Sequence, residues 1–393
     1  LKPVYLAVAA VAGIAMSALT QCALAGGQAP AQQEQPVTEY IAYIGTYTGK
    51  GSQGIYRYKF DPSSGKLAPL GVTTGVENPS FLAVSPDHKY LYAVNEVESY
   101  HGAKTGAITA FEIGKDASLK ALNQVATHGT APCHLAIDKA GRHVAVANYS
   151  SGSIAVLGIK SDGSLADVTS FVQHQGTGPD ASRQEGPHAH QVQFDAANKH
   201  VFAVDLGIDK VMVYQYDAKT GKLTPNTPPD AELEPGAGPR HLAFDHGAKH
   251  AYVVNELNST IDVFNYAPAT ATFTKVQVIS TLPTGFAGPN HPAEIQVSPD
   301  GNYVYASNRG NDTIAIFSID HATGRLTAVD HQSVGGKNPR HFIIDPTGEY
   351  LLVANQDTNN VVVFGIDHTT GRLADLGIPI DVPTPVCVCF VAR

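Results

Sequence analysis

A unit of about fifty residues recurs along this chain, and the recurrence limits the possible folds more than any other feature. Prolines opening the copies fall at Pro79, Pro132, Pro187, Pro239, Pro292 and Pro339, so successive copies start 53, 55, 52, 53 and 47 residues apart. Each copy begins with an alternating strand such as HLAID, turns at a stretch such as SPDG (298–301) or DPTG (345–348), and continues into YVYASN or YLLVAN. A polar turn (RGNDT) leads to a third strand (IAIFSID), and a TGRL or TGKL turn leads to a fourth. Period-two alternation bounded by Gly, Asp and Asn is the pattern of strands, not helices. Four antiparallel strands repeated at this interval predict the blade of a β-propeller.

The turn before the fourth strand occurs seven times, from DPSSGKL (61–67) to DHTTGRL (367–373). Only six copies carry an internal opening strand, so one blade must be split between the two ends of the repeat region. Residues 40–60 supply its later strands, and TPVCVCFV (384–391) supplies its first, which leaves no unpaired edge at the closure. The expected fold is therefore all-β: a seven-bladed β-propeller over residues 40–393, with four antiparallel strands per blade. The 37 glycines and 25 prolines agree with it, since both residues are costly in helices and suit tight turns.

The other parts of the chain bound its setting. Lys2, an apolar stretch from Val4 to Leu19 and the small-x-small sequence Ala23-Leu24-Ala25 read as a signal peptide over residues 1–25, cut after Ala25. Residues 26–39 read as a disordered linker, and no later segment is apolar and long enough to span a bilayer. A periplasmic or secreted protein follows. A net charge of −9 without a basic, aromatic-laced patch argues against nucleic-acid binding. Cys133, Cys387 and Cys389 form neither a disulfide framework nor a zinc spacing and read as small buried hydrophobes; no metal or other cofactor is expected.

Sister copies must pack on near-identical neighbours, so the positions where they disagree in charge are not serving packing. Two such slots stand out. Five residues before the Asp or Ser that closes the opening strand stand Ser80, Cys133, His190, Arg240, Ala293 and Arg340, followed by Phe81, His134, Gln191, His241, Glu294 and His341. After the Asn or Asp ending the second strand stand Glu96, Tyr149, Leu206, Glu256, Arg309 and Gln356. The first two strands of a blade form an antiparallel hairpin, so both slots should ring one mouth of the central channel. His134, His241 and His341 recur at one position and are expected to make a repeated structural hydrogen bond.

Arginines at one mouth suit an anionic or carbonyl-bearing small molecule. Without a nucleophile elbow or a reactive thiol, general acid–base chemistry remains. His190 titrates near neutrality by type and is the candidate base; Glu256, held low by arginines, orients it or polarises water. His188, two residues before His190, is a substrate contact or a support.

The stretches PHAHQVQFD, GAGPRHLAFD followed by YVVNELNSTI, SNRGNDTIAIF and NPRHFIID, in this order, resemble the bacterial 6-phosphogluconolactonase family of seven-bladed propellers, itself related to the carboxy-muconate lactonising enzyme. The resemblance covers residue 40 to the end and implies metal-independent chemistry on a sugar-acid lactone. By motif it places the catalytic set on His190, Arg240, Glu256 and Arg309; the comparison of copies adds Glu294, Arg340 and Gln356 of the two slots, and His188 beside His190, as candidate substrate contacts. A lactonase is the leading expectation; a lactonising cycloisomerase or a non-catalytic binding propeller are the alternatives. Export favours an unphosphorylated lactone, because the 6-phosphate is a cytoplasmic metabolite.

Overall fold

The computed structural model describes residues 39–393; the expected signal peptide and residues 26–38 of the expected linker lie outside the described residues. Glu39, counted with the linker above, belongs to the fold: its carbonyl accepts from the Arg393 amide at 3.0 Å and its carboxylate pairs with Lys59. Among the described residues the chain forms seven antiparallel sheets, and the single helical segment is a 3₁₀ turn, Leu206–Ile208. No helix among them is long and apolar enough to cross a membrane.

Blades 1 to 6 open with Leu82–Val84, Pro132–Ile137, Ala189–Phe194, Pro239–Phe244, His291–Val297 and Pro339–Ile344. Blade 7 is the split one: Pro385–Ala392 pairs with Tyr40–Thr46, followed by Gly54–Asp61 and Lys66–Thr74. Each opening strand packs on the opening strand of the next blade around the whole ring, and Pro385–Ala392 closes it against Leu82–Val84. The fourth strand of blade 6 is broken into Leu373–Asp375 and Ile380–Asp381, both paired with Asn360–Ile366.

There is no single central core. A separate apolar cluster fills each gap between neighbouring blades; Leu135, Val146 and Leu157 of blade 2, for example, meet Tyr92 and Ile108 of blade 1. The split blade is locked by two such clusters, Ile44 and Val388 against Leu352 and Val363 on one side, Tyr43 and Cys387 against Leu82 and Leu91 on the other. Middle strands are therefore buried on both faces, whereas outer strands such as Leu165–Gln173 alternate between covered and exposed residues.

Repeated turn residues have repeated work. Asp138, Asp195 and Asp245 each accept two backbone amides of the following turn, and the Ser298 hydroxyl accepts one, that of Tyr303. The glycine of the TGRL turn is required where it sits: Gly371 has φ +70°, and a Cβ there would stand 2.4 Å from the Tyr303 ring of the preceding blade.

Candidate active site

Blades 2, 3, 4 and 6 each aim one side chain into the channel by the same backbone device. Pro132, Pro239 and Pro339 pair with Asn148, Asn255 and Asn355, and pairing resumes at His134, His241 and His341. Cys133, Arg240 and Arg340 are thus left in bulges, which bend the strand and re-aim the side chain. In blade 3 it is Ala189 that pairs with Asp205, and pairing resumes at Gln191, leaving His190 in the bulge. Pro187, read above as the opening proline of this copy, lies two residues upstream of that register; the added residues carry His188. In blade 7 Pro385 pairs with Thr46, which makes Tyr47 the seventh member of the second slot.

At this end of the channel lies a cavity of about 330 Å³ lined by Glu96, Cys133, Tyr149, Arg183, His190, Glu256, His291, Arg309 and Arg340. One wall is organised by Glu256, buried and gripped by three guanidinium groups: Arg183 Nη2 at 2.5 Å from Oε1, Arg309 Nη2 at 2.7 Å and Arg240 Nε at 3.2 Å from Oε2. Burial would raise this carboxyl, but Arg309, Arg240 and Arg183 together override it and hold it far below the usual carboxylate range. Glu256 is therefore ionised and already fully engaged. Arg309 is fixed further by Nε donating to the His291 carbonyl at 2.8 Å, and Arg240 by Nη1 donating to the Ala293 carbonyl.

The opposite wall differs. Glu96 Oε2 accepts from the Tyr47 hydroxyl at 2.8 Å and the Ser80 hydroxyl at 2.5 Å, and the Arg340 guanidinium lies 5.4 Å from the Tyr47 ring centre. His190 stands between the walls, edge-on to Tyr149 at 5.5 Å, with its Nδ1 buried and without a partner among the described residues. Burial, and after it Arg240, His241 and Arg340, holds this imidazole well below the usual histidine range. It is neutral at pH 7, not poised near neutrality as its residue type suggests.

Beneath the cavity the channel is closed. Phe81, His134, His241 and His341 cluster there, Phe81 tilted over His134 at 4.0 Å between centroids and His134 edge-to-face with His241 at 5.3 Å. His134 Nδ1 accepts from the Val192 amide and His341 Nδ1 from the Val388 amide, each in the next blade, which is the expected repeated bond. Gln191 makes the same contact to Leu242. His241 departs from it: its Nδ1 meets Glu294 Oε2 at 3.0 Å.

Residues 41–390 match the family described as the seven-bladed β-propeller lactonase. The chain belongs to this family. The 6-phosphogluconolactonase of Bacillus subtilis is 38% identical over 301 residues, 76% of this chain and 83% of that protein. The 6-phosphogluconolactonase of Formosa agariphila is 34% identical over 302 residues, covering 75% of this chain and 84% of its own length. The solved structure of the Pseudomonas aeruginosa periplasmic gluconolactonase superposes with a TM-score of 0.84 at 34% identity, covering 90% of this chain and 99% of that one.

Of the residues singled out from sequence, the lactonase cavity gathers His190, Glu256, Arg309 and Arg340, with Arg240 just below, bordering the narrow space between cavity and plug. Three others do not line it. His188 stacks on Tyr149 at 4.7 Å, with Nδ1 3.1 Å from the Tyr149 carbonyl, and so supports a wall. Glu294 belongs to the plug, where it meets His241 and His341. Gln356 is half-buried with its Oε1 enclosed and unpartnered among the described residues.

Sequence comparison of the copies missed Arg183 and Tyr47. Arg183 sits on the residues added before His188; the loop is pinned by buried Gln184, whose Nε2 donates to Leu206 O at 2.9 Å and Asp209 Oδ1 at 2.8 Å. The unusual length of that segment was its only signal. Cys133 is more than core filler, since it lines the cavity. Burial and then Glu96 raise its thiol despite Arg240 and Arg340, so it stays protonated and non-nucleophilic at neutral pH.

Proposed function

We propose that this lactonase-family protein hydrolyses a sugar-acid lactone to the open hydroxy acid in this cavity. The observation carrying the reading is the charge of the site: four guanidinium groups (Arg183, Arg240, Arg309, Arg340) meet only two carboxylates, Glu96 and Glu256, in and directly under it. A surplus of fixed positive charge stabilises the oxyanion that forms when water attacks a lactone carbonyl, and it retains an acidic substituent on the ring. About 330 Å³ accommodates one sugar ring, at the small end of ligand sites.

In this reading Glu256 holds Arg183, Arg240 and Arg309 in place, and the guanidinium hydrogens left over face the substrate. Neutral His190 donates and accepts hydrogen bonds at the reacting carbonyl and water without adding charge. The names of the relatives support a gluconic-type lactone, with or without the 6-phosphate. The leader expected from the sequence of residues 1–25 supports export and hence the unphosphorylated substrate.

The test uses the full chain. Hydrolysis of glucono-1,5-lactone and of its 6-phosphate is followed above the spontaneous rate for wild type and His190→Ala. The expected result is wild-type acceleration of at least one of the two, with a loss of about 10²-fold in His190→Ala. A wild type no faster than the spontaneous reaction on any aldonolactone overturns the reading.

A further inference from the structure

The carboxylates around the cavity are not equally free. Glu256 spends both oxygens on three arginines. Glu294 is buried in the plug, with Oε2 on His241 and Oε1 accepting from the Ile295 amide. Glu96 uses one oxygen only. Oε2 takes the hydroxyls of Tyr47 and Ser80, and no described group donates to Oε1. Oε1 is also not among the fully buried polar atoms that lack a partner, so it opens on the cavity that Glu96 lines. Arg340 is its counterpart among the arginines. It lines the same cavity over the Tyr47 ring, and no described residue forms an ion pair or a hydrogen bond with its guanidinium.

We propose that Glu96 is the general base of the hydrolysis, with Arg340 beside it receiving the charge that develops on the carbonyl oxygen. The proposal rests on the lactonase reading of the same cavity. Oε1 of Glu96 takes a proton from water as the water oxygen bonds to the lactone carbonyl carbon, and the carbonyl π electrons move onto oxygen, facing Arg340. Collapse of this tetrahedral species re-forms the C=O bond and breaks the bond from the carbonyl carbon to the ring oxygen. The proton on Glu96 passes to that ring oxygen, giving the open hydroxy acid and the carboxylate again. Two hydroxyl donors on Oε2 fix the rotation of the carboxylate, so that the proton-accepting oxygen is held in one direction. The second-slot position thus carries different work on the two sides of the ring: Glu256 arranges arginines, and Glu96 moves the proton.

Glu96→Gln keeps the size and both hydroxyl partners while removing the base. In the full chain we expect kcat on glucono-1,5-lactone to fall by about 10²- to 10⁴-fold, KM to change by less than about threefold, and the acid limb of the kcat–pH profile to vanish. Tyr47, Arg340, Cys133 and His190 surround Glu96 in the cavity, and Arg240, His241 and His341 border with it the narrow space below; of these only Tyr47 hydrogen-bonds it. Tyr47→Phe leaves Ser80 as the one hydroxyl holding Oε2, so the base loses its fixed direction and kcat should fall by about threefold to tenfold with KM unchanged. A purely structural role for Glu96 would leave the acid limb of Glu96→Gln as it is in wild type. An active wild type with Glu96→Gln retaining most of its kcat, or losing activity only through KM, overturns Glu96 as base and leaves the lactonase reading standing. A wild type without lactonase activity overturns both. Should Glu96→Gln fail to fold, an unchanged kcat in Tyr47→Phe overturns the assignment.

Discussion

The two walls of the cavity present the same backbone position, the residue after the second strand, in two opposite conditions. In blade 4 that residue is Glu256, 5% exposed and bonded to Arg183 and Arg309, with Arg240 alongside. In blade 1 it is Glu96, half-buried, held by two neutral hydroxyls and left with one open oxygen. A carboxylate surrounded by guanidinium groups is a structural counter-ion. Removing it leaves like charges facing one another in a site of low polarisability, and that is costly. A carboxylate held by hydroxyls retains its capacity to exchange a proton.

The sharpest break of this contrast is Glu256→Gln against Glu96→Gln in denaturant unfolding. Glu256→Gln should lower stability by about 3 kcal/mol and abolish most activity, since three buried or half-buried arginines lose their partner together. Arg183 is a third exposed and will relax into solvent, which keeps the loss at the low end of the range. Glu96→Gln should cost less than about 1 kcal/mol, because the amide oxygen still accepts from Tyr47 and Ser80. Equal unfolding midpoints for the two variants would erase the distinction between the walls.

Much of this was readable in the repeats. Seven blades and the split closure follow from counting copies of one unit, and His190, Glu256, Arg309 and Arg340 emerge as places where sister copies disagree. Comparison of copies fails where there is no sister to compare. Arg183 lies on residues that the other blades lack, and Tyr47 lies in the blade divided between the chain's two ends. Pro187 misled because a proline two residues early imitates the one that Ala189 replaces. The division of labour between the carboxylates was illegible for another reason. It depends on which side chains from distant blades meet, such as Arg183 and Glu256, 73 residues apart.

Blade 3 differs from its sisters in a second way. Where blades 1, 5 and 6 have an Asn whose Nδ2 donates to a loop carbonyl (Asn95 to Glu77, Asn308 to Thr281, Asn355 to Val334), blade 3 has Asp205. Fully buried His174 bonds Asp205 Oδ2 through Nδ1 at 2.6 Å, and Oδ1 accepts the amides of His188 at 2.7 Å and Gly207 at 3.0 Å. An acceptor here anchors the start of the strand that carries His190. Asp205→Asn restores the residue of the sister blades yet should destabilise by about 1.5–3 kcal/mol, because an amide cannot replace three acceptor contacts with charge assistance. Unfolding in urea reads this directly; a variant as stable as wild type would show that the blade tolerates either residue.

The plug beneath the cavity makes a smaller prediction, about acid. Burial first, then His241, His341 and Arg240, holds His134 well below the usual histidine range, and burial brings His341 down to about 4. The unfolded chain takes up these protons near pH 6.5 while the folded chain refuses them. Protons therefore bind the unfolded state in excess, and stability falls as pH drops below about 6.5, by up to about 1.4 kcal/mol per pH unit for each such histidine. Above pH 7 the same residues contribute no pH dependence. His134→Gln tests one of them without disturbing the packing pattern, since Gln191 already accepts the Leu242 amide at 2.6 Å from the equivalent place. Between pH 6 and 5 the slope of unfolding free energy against pH should drop by about 1.4 kcal/mol per unit relative to wild type. An unchanged slope would mean that His134 takes up its proton in the folded protein, and that the imidazole plug is more open to water than its burial implies.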